Sequence, residues 1–402
     1  MIRYFYGILL LLLSAGQLLY GQDTTAAASA PAAPRKQISL LTCGVGEELY
    51  TAFGHTAIRI RNMETGSDVV YNYGTFNFYD SLFYVKFTLG KLNYYLDKEY
   101  FGDFVESYRM DQRMVKEQRL SLGDEEIGMI EKFLEHNVLP QNREYRYDFV
   151  FDNCATRVRD VFQNVLAPQF SYGDIMQGKK VSFRSVINEY LAQQHWPRLG
   201  INLLLGSQVD SLMNNESALF LPDLLHGAMS GATYNRKPVV FQEQVLLEGA
   251  PVPAVTNWPM IMGIILLVFS LLVFNIKALA SVKHIWSRIV LFVFGFLGLL
   301  MLFMWLGTDH QSCRNNFNIL WAVPTHFIMA FLSFRHRAWV RLYAFAAISL
   351  LIVAIIVHIL GIQVMPLVEI LPWFFIAMLI YIDMYKQSIA VQEPPASAAV
   401  QR

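Results

Sequence analysis

Apolar positions along this chain fall into three regimes. Residues 8–13 form a short unbroken run after Arg3, with small or neutral residues up to Gly21. That pattern predicts an export signal over residues 1–21, cleaved after Gly21, the alternative being an uncleaved anchor helix. An Ala/Thr/Ser/Pro-rich linker follows over 22–36. From 37 to 257 the apolar runs are short and separated by turns. Residues 38–41, 57–60 and 69–73 read as strands, the last two forming an antiparallel hairpin around Glu64, Thr65, Gly66 and Ser67. The aromatic runs 76–79, 83–87 and 92–96 also read as strands. Residues 124–137 predict a helix with an acidic first turn, and further helical patterns cover 154–165, 182–194 and 208–229. The expected class here is an α+β domain. From 258 to 386 the runs lengthen. Five segments, near 258–276, 289–307, 317–334, 342–362 and 366–385, approach the roughly 20 residues needed to cross a bilayer. They predict an all-α bundle of five transmembrane helices with a tail over 387–402.

Charge gives the two halves an orientation. Charged residues make up 16% of the 402, against 54% hydrophobic. A soluble domain carries about 25% charged residues, so a uniformly soluble or disordered chain is excluded. Lys+Arg and Asp+Glu are both 32, so no basic excess points to nucleic acid. From Trp258 onward there are 9 basic and 4 acidic residues, against 22 and 28 over residues 22–257. Lys277, Lys283 and Arg288 lie between the first two predicted spans. Arg335, Arg337 and Arg341 lie between the third and fourth, and Lys386 follows the fifth. The opposite loops carry only Arg314. The positive-inside rule puts the basic loops in the cytoplasm and the polar domain outside. In a Gram-negative cell that predicts a multi-pass protein of the inner membrane with a periplasmic domain.

Three cysteines (Cys43, Cys154 and Cys313) are too few for a disulfide framework or a multi-cysteine metal site, and no cofactor is expected. Cys154 follows Asp152 and Asn153, both good N-caps, so it falls in a first helical turn. The helix dipole and backbone N–H groups there favour a thiolate and predict a lowered pKa. The alternative is a small buried core residue. A thiol nucleophile needs a base, and His55, beside Gly54 at a strand start, is the candidate; His136, His195 and His226 read as surface or packing residues. If the hairpin centres near Thr65, Asn72 lies close to His55 and can orient its ring, with Tyr73 the other polar choice. Arg157 could meet a lipid phosphate, or form a local ion pair. The block Phe76, Phe78, Tyr79, Phe83, Tyr84 and Phe87 reads as core packing, an acyl-chain pocket or an interfacial contact. The external loop holds Asp309, His310, Gln311, Cys313, Arg314 and Asn315, either as headgroup ligands or as a solvated loop with helix caps. Asp309 and His310 alone are too few for zinc. Asn318, His326 and Glu369 are polar groups at or within the bilayer.

A histidine before a β-hairpin, with an Asn-Cys pair opening a later helix, is similar to the circularly permuted papain-like enzymes of the NlpC/P60 superfamily and their lecithin:retinol acyltransferase-like branch. A closer resemblance covers nearly the whole chain. Leu41-Thr42-Cys43-Gly44, Phe53-Gly54-His55-Thr56, Tyr71-Asn72-Tyr73-Gly74 and Asp152-Asn153-Cys154-Ala155-Thr156-Arg157 resemble the periplasmic domain of the Lnb family of Bacteroidota. Thr308-Asp309-His310 and the stretch from Asn315 to Trp321 resemble its transmembrane domain. The resemblance implies a lipoprotein N-acyltransferase. Membrane phospholipid would be the acyl donor and diacylglyceryl lipoproteins the acceptors. Asn72 stands where the acyltransferase branch has a second histidine. Two other readings stand beside this one: a periplasmic cysteine amidase or peptidase acting on cell-wall peptides, and a non-enzymatic envelope assembly factor.

Overall fold

The computed structural model describes residues 35–77, 79–251, 253–332 and 338–389. The export signal, nearly all of the linker, Phe78, Arg335 and Arg337, and most of the tail lie outside them. Six strands, β1 (Lys36–Cys43), β2 (His55–Asn62), β3 (Asp68–Thr75), β4 (Asn93–Tyr100), β5 (Val115–Leu120) and β6 (Glu144–Arg146), join a last strand, Val240–Leu247, in one sheet. The order is last strand, β5, β1, β2, β3, β4, β6, and every neighbouring pair is antiparallel. The expected hairpin is β2–β3, with Ile58 opposite Tyr71 and Arg61 opposite Asp68.

Strand alternation sends the two residue sets to opposite faces. Ile38, Leu40, Ile58, Ile60, Tyr71 and Tyr73 pack beneath three helices, Asp124–Asn137, Cys154–Leu166 and Pro222–Ser230. Leu41, Cys43, Ala57 and Val70 face Phe104 and Tyr108 of a further helix, Phe101–Met110. Arg59 shares that second face. Its charge is held by Asp68 and by Glu117 (2.8 Å), and it lies over the Phe101 ring at 3.3 Å. A paired guanidinium thus takes a place that the apolar pattern alone would refuse.

Three stretches differ from the expected elements. Residues 76–79, read as strand, lie beyond the end of β3 at Thr75, with Phe76 and Asn77 in no regular element and Tyr79 in a turn. Residues 83–87, read as strand, form the helix Phe83–Thr88. Period-2 reading fails there because the aromatics stack along a helix, Phe83 on Phe87 at 6.2 Å. Residues 208–229 break into Ser207–Asp210, Asn215–Ala218 and Pro222–Ser230, with Pro222 opening the last.

Among the described residues, four helices are long and apolar enough to cross a membrane, not five: Trp258–Asn275, Ala280–Leu306, Ala338–Ile359 and Leu367–Ile389. The segment expected as the third span is broken. It starts as a turn at Phe317–Leu320 and continues, past Pro324, as the single helical turn His326–Met329. Pro324 cannot donate the N–H that a continuous helix needs. Gly295 and Gly298 let this segment lie against the second apolar helix, since a Cβ at either would collide with the backbone of Phe327 or Ala322. Two acidic residues within the last predicted span, Glu369 and Asp383, find partners. Glu369 pairs with Arg198, and Asp383 with Lys283 at 2.7 Å.

The polar domain and the apolar helices are locked together. The helix His195–Leu204 presents Leu199, Leu203 and Leu204 to the apolar bundle. Its final carbonyls are capped from the other side. Asn316 Nδ2 donates to the oxygens of Leu203 (2.7 Å) and Leu204 (3.0 Å), and Asn318 Nδ2 to that of Asn202 (3.1 Å). Gln363 donates to Leu205 O and Asn316 Oδ1, and accepts from Phe317 N–H at 2.7 Å. The buried Arg184 binds Asp210 at 2.9 Å and the carbonyls of Leu205 and Gly206.

Candidate active site

The Cys154 helix begins with a closed cap. The Asn153 side chain accepts from Thr156 N–H at 3.0 Å, and Thr156 Oγ1 accepts from Asn153 N–H at 2.8 Å. Asn153 Nδ2 also donates to the oxygens of Phe149 and Phe220, tying the helix start to two neighbouring segments. Cys154 is therefore held at the first turn, half-buried, at the end of the sheet. Backbone N–H groups of Thr56 and Ala155 point at its sulfur.

His55 reaches the same place from β2. Gly54, with φ of +75°, makes the turn before it; a Cβ there would come 2.7 Å from the Cys43 oxygen. Cys154 and His55 approach each other across Gly74, where φ is +95° and the β3–β4 register slips between Tyr73 and Thr75. A Cβ on Gly74 would sit 3.4 Å from Cys154 Cβ, 3.7 Å from His55 Cε1 and 3.9 Å from the Tyr145 hydroxyl. One missing side chain thus gives three functional groups a common space.

The imidazole is oriented by two further residues on diagonally adjacent strand positions. His55 Nε2 lies 2.6 Å from Asn72 Oδ1, and Asn72 Nδ2 donates to Glu99 Oε1 at 2.9 Å. A Glu99 carboxylate only accepts, so the Asn72 amide turns its NH2 to Glu99 and its oxygen to the ring. Nε2 then carries the proton, and Nδ1 is the basic nitrogen available to the thiol.

Electrostatics correct one expectation. Burial pushes the Cys154 thiol up to about 11, outweighing the backbone N–H groups that pull it down. Burial also lowers His55 to about 4, against the opposing hydrogen bond to Asn72. The resting pair is a neutral thiol and a neutral imidazole. The helix start alone suggested a lowered thiol pKa, but desolvation is the larger effect.

Tyr145, Glu99, Gly74 and Arg113 were not singled out by sequence. Tyr145 is buried, and its hydroxyl has no hydrogen-bond partner among the described residues. Arg113 donates to the Gly44 oxygen at 2.9 Å, lies over the Tyr108 ring, and acts as a positive charge near both His55 and Cys154. Only the glycine in the Tyr71-to-Gly74 motif carried a signal, as a residue that permits positive φ.

The other expected residues lie elsewhere. Tyr73 is buried in the core, its ring 6.3 Å from that of Tyr145. Arg157 pairs with Asp152 and covers the Tyr145 ring at 4.1 Å, so it buttresses the site from behind. Asp309 pairs with Arg146 at 2.6 Å, and His310 Nε2 bonds the Phe87 oxygen at 3.0 Å. Asn315, at φ of +54°, accepts from Ser207 N–H. These three hold the external loop to the polar domain. His226 is engaged by Thr42 and Glu243, His195 by Val255, and His136 by Asn142. His326 in the apolar half lies between the hydroxyls of Tyr343 and Tyr381.

Residues 26–189 match the Lnb N-terminal periplasmic domain, and residues 254–390 match the Lnb transmembrane domain. No curated protein and no solved structure matches the chain.

Proposed function

The chain belongs to the Lnb family, a membrane protein with a periplasmic domain in the lipoprotein pathway, and from that premise we propose that it is a lipoprotein N-acyltransferase of the inner membrane with Cys154 as nucleophile. His55 Nδ1 takes the thiol proton as sulfur attacks the ester carbonyl of a phospholipid. The acyl C–O bond breaks, and the lysophospholipid alcohol leaves with the proton returned by His55. The free amine of a lipoprotein's first cysteine then attacks the Cys154 thioester. The C–S bond breaks, an amide forms, and the proton lost by the amine returns to the thiol through His55. Because both resting groups are neutral, proton transfer accompanies attack. The hydroxyl of Tyr145, buried without a partner among the described residues, would donate to the oxyanion that forms on the carbonyl. Asn72 and Glu99 keep the ring in the tautomer that this sequence requires.

The observation that carries the reading is the meeting of Cys154, His55 and Tyr145 across Gly74, on a domain rigidly joined to apolar helices. A bilayer-anchored site suits two lipid substrates, whereas a wall hydrolase has no need of that junction. Mass spectrometry of native lipoproteins from a deletion strain tests it. The amide-linked acyl chain should vanish, return with the wild-type gene, and stay absent with Cys154→Ala. Unchanged lipoproteins with altered cell-wall peptides would favour the amidase; dispensable Cys154 and His55 would favour an assembly factor.

A further inference from the structure

The segment around the helix Phe83–Thr88 exposes an unusual amount of aromatic and aliphatic surface. Tyr79 is 97% and Tyr84 80% exposed, with Leu82, Val85 and Phe87 each exposed by about half. An apolar patch of this kind marks an interaction surface. Its position along the membrane normal is fixed by the chain itself. Asp309 N–H donates to the Leu89 oxygen at 2.9 Å, and His310 Nε2 bonds the Phe87 oxygen at 3.0 Å. Both loop residues directly follow the second apolar helix, which ends at Leu306. Gly90 admits this contact: a Cβ there would lie 3.1 Å from His310 N. The patch therefore stands at the level where that helix leaves the bilayer, the depth that tyrosines favour. Lys91 flanks it with charge of the sign that suits phosphate headgroups, while Lys86 is paired with Asp80 at 2.6 Å.

A line of rings runs inward from this patch. Phe83 stacks on Phe76 at 5.7 Å, Phe76 meets Tyr94 at 5.0 Å, and Tyr94 stacks on Tyr147 at 4.2 Å. Tyr147 lies near enough to Cys154 to sense its charge. We propose that residues 79–87 form a lipid-seated lip whose exposed rings lie in the outer leaflet and lead a phospholipid acyl chain along Phe83, Phe76 and Tyr94 toward Cys154. The seating is independent of the acyl-transfer reading; delivery of the chain rests on it.

Depth measurement separates the two. A spin label is placed at Tyr84→Cys in full-length Cys154→Ala protein, whose other cysteines are buried, reconstituted into phosphatidylethanolamine/phosphatidylglycerol vesicles. Met63→Cys, at the hairpin turn, is the water-exposed control. Oxygen should relax the label at 84 more strongly than a water-soluble nickel complex does, with the reverse at 63. A label at 84 that behaves like the one at 63 would overturn the seating and leave the patch as a protein-docking surface. In otherwise native protein, Tyr84→Glu with Phe87→Glu should lower transfer from vesicle phospholipid by about tenfold, because carboxylates resist the interface. Undiminished transfer would overturn the delivery role.

Discussion

Two polar clusters lie within this chain, and they use their hydrogen bonds differently. At the junction, Arg184, Asp210, Asn316, Asn318 and Gln363 are buried or nearly so and bound to one another and to backbone carbonyls. At the sheet end, Tyr145 keeps a buried hydroxyl without a partner among the described residues, and His55 commits Nε2 to Asn72 while its Cε1 edge borders the space shared with Cys154. Burial of polar groups is costly unless they are paired. These five junction residues meet that cost, although Ser312 Oγ in the same loop has no partner among the described residues. The Cys154 cluster leaves part of it unmet, which is the signature of a site that completes its bonds with a substrate or transition state.

The contrast can be broken at its strongest point first. Cys154→Ala or His55→Ala should abolish amide acylation of lipoproteins while the protein still accumulates in the membrane. Junction variants should do the opposite. Arg184→Met strands Asp210 and two carbonyls, so chemical denaturation should show a loss of roughly 3–5 kcal/mol, with transfer by the remaining folded protein little changed. Asn72→Ala should lower the transfer rate by about 10²-fold through loss of ring orientation, with Glu99→Gln giving a smaller drop because the Asn72 amide can then turn. Asp309→Ala removes an exposed ion pair and should cost less than about 1 kcal/mol.

Titration sharpens the same comparison. The Cys154 thiol, raised to about 11, should be alkylated by iodoacetamide at a rate that keeps climbing above pH 9. A plateau near pH 7 would mean a thiolate at rest. His55 titrates near 6.5 when unfolded and about 4 when folded, so only the unfolded chain takes up this proton between those values. Stability from its neutral form is complete above pH 6.5 and is lost as pH falls toward 4. His55→Gln should flatten that part of the pH–stability curve.

Sequence reading reached the site by local chemistry. Asn153 before Cys154 announced a helix cap, Gly54 before His55 a tight backbone approach, and the turn at Glu64 to Ser67 a register that brought Asn72 near the ring. Each is a short-range signal. Glu99, Tyr145 and Arg113 come from other strands and loops, and nothing local in β4 or β6 distinguishes them from packing residues. The edge strand Val240–Leu247 was missed because its exposed polar residues hide the alternation. The helix Phe101–Met110 was missed although Phe101, Phe104 and Tyr108 stand at helical spacing. The third span failed for another reason: hydropathy counts apolar residues but does not see that Pro324 breaks the ladder and that Asn318 is drawn to carbonyls of another domain. Asp309, His310 and Asn315 read as headgroup ligands or as a solvated loop, and their contacts with the polar domain were not legible because a free polar loop and a domain clasp have the same composition.

The most direct test is capture of the intermediate. Purified protein is incubated with phospholipid vesicles, without lipoprotein acceptor, and the peptide bearing Cys154 is weighed by mass spectrometry. The account predicts one added fatty acyl group on that cysteine, removable by hydroxylamine and missing in His55→Ala. An unmodified Cys154 in protein that still N-acylates a lipopeptide would contradict it.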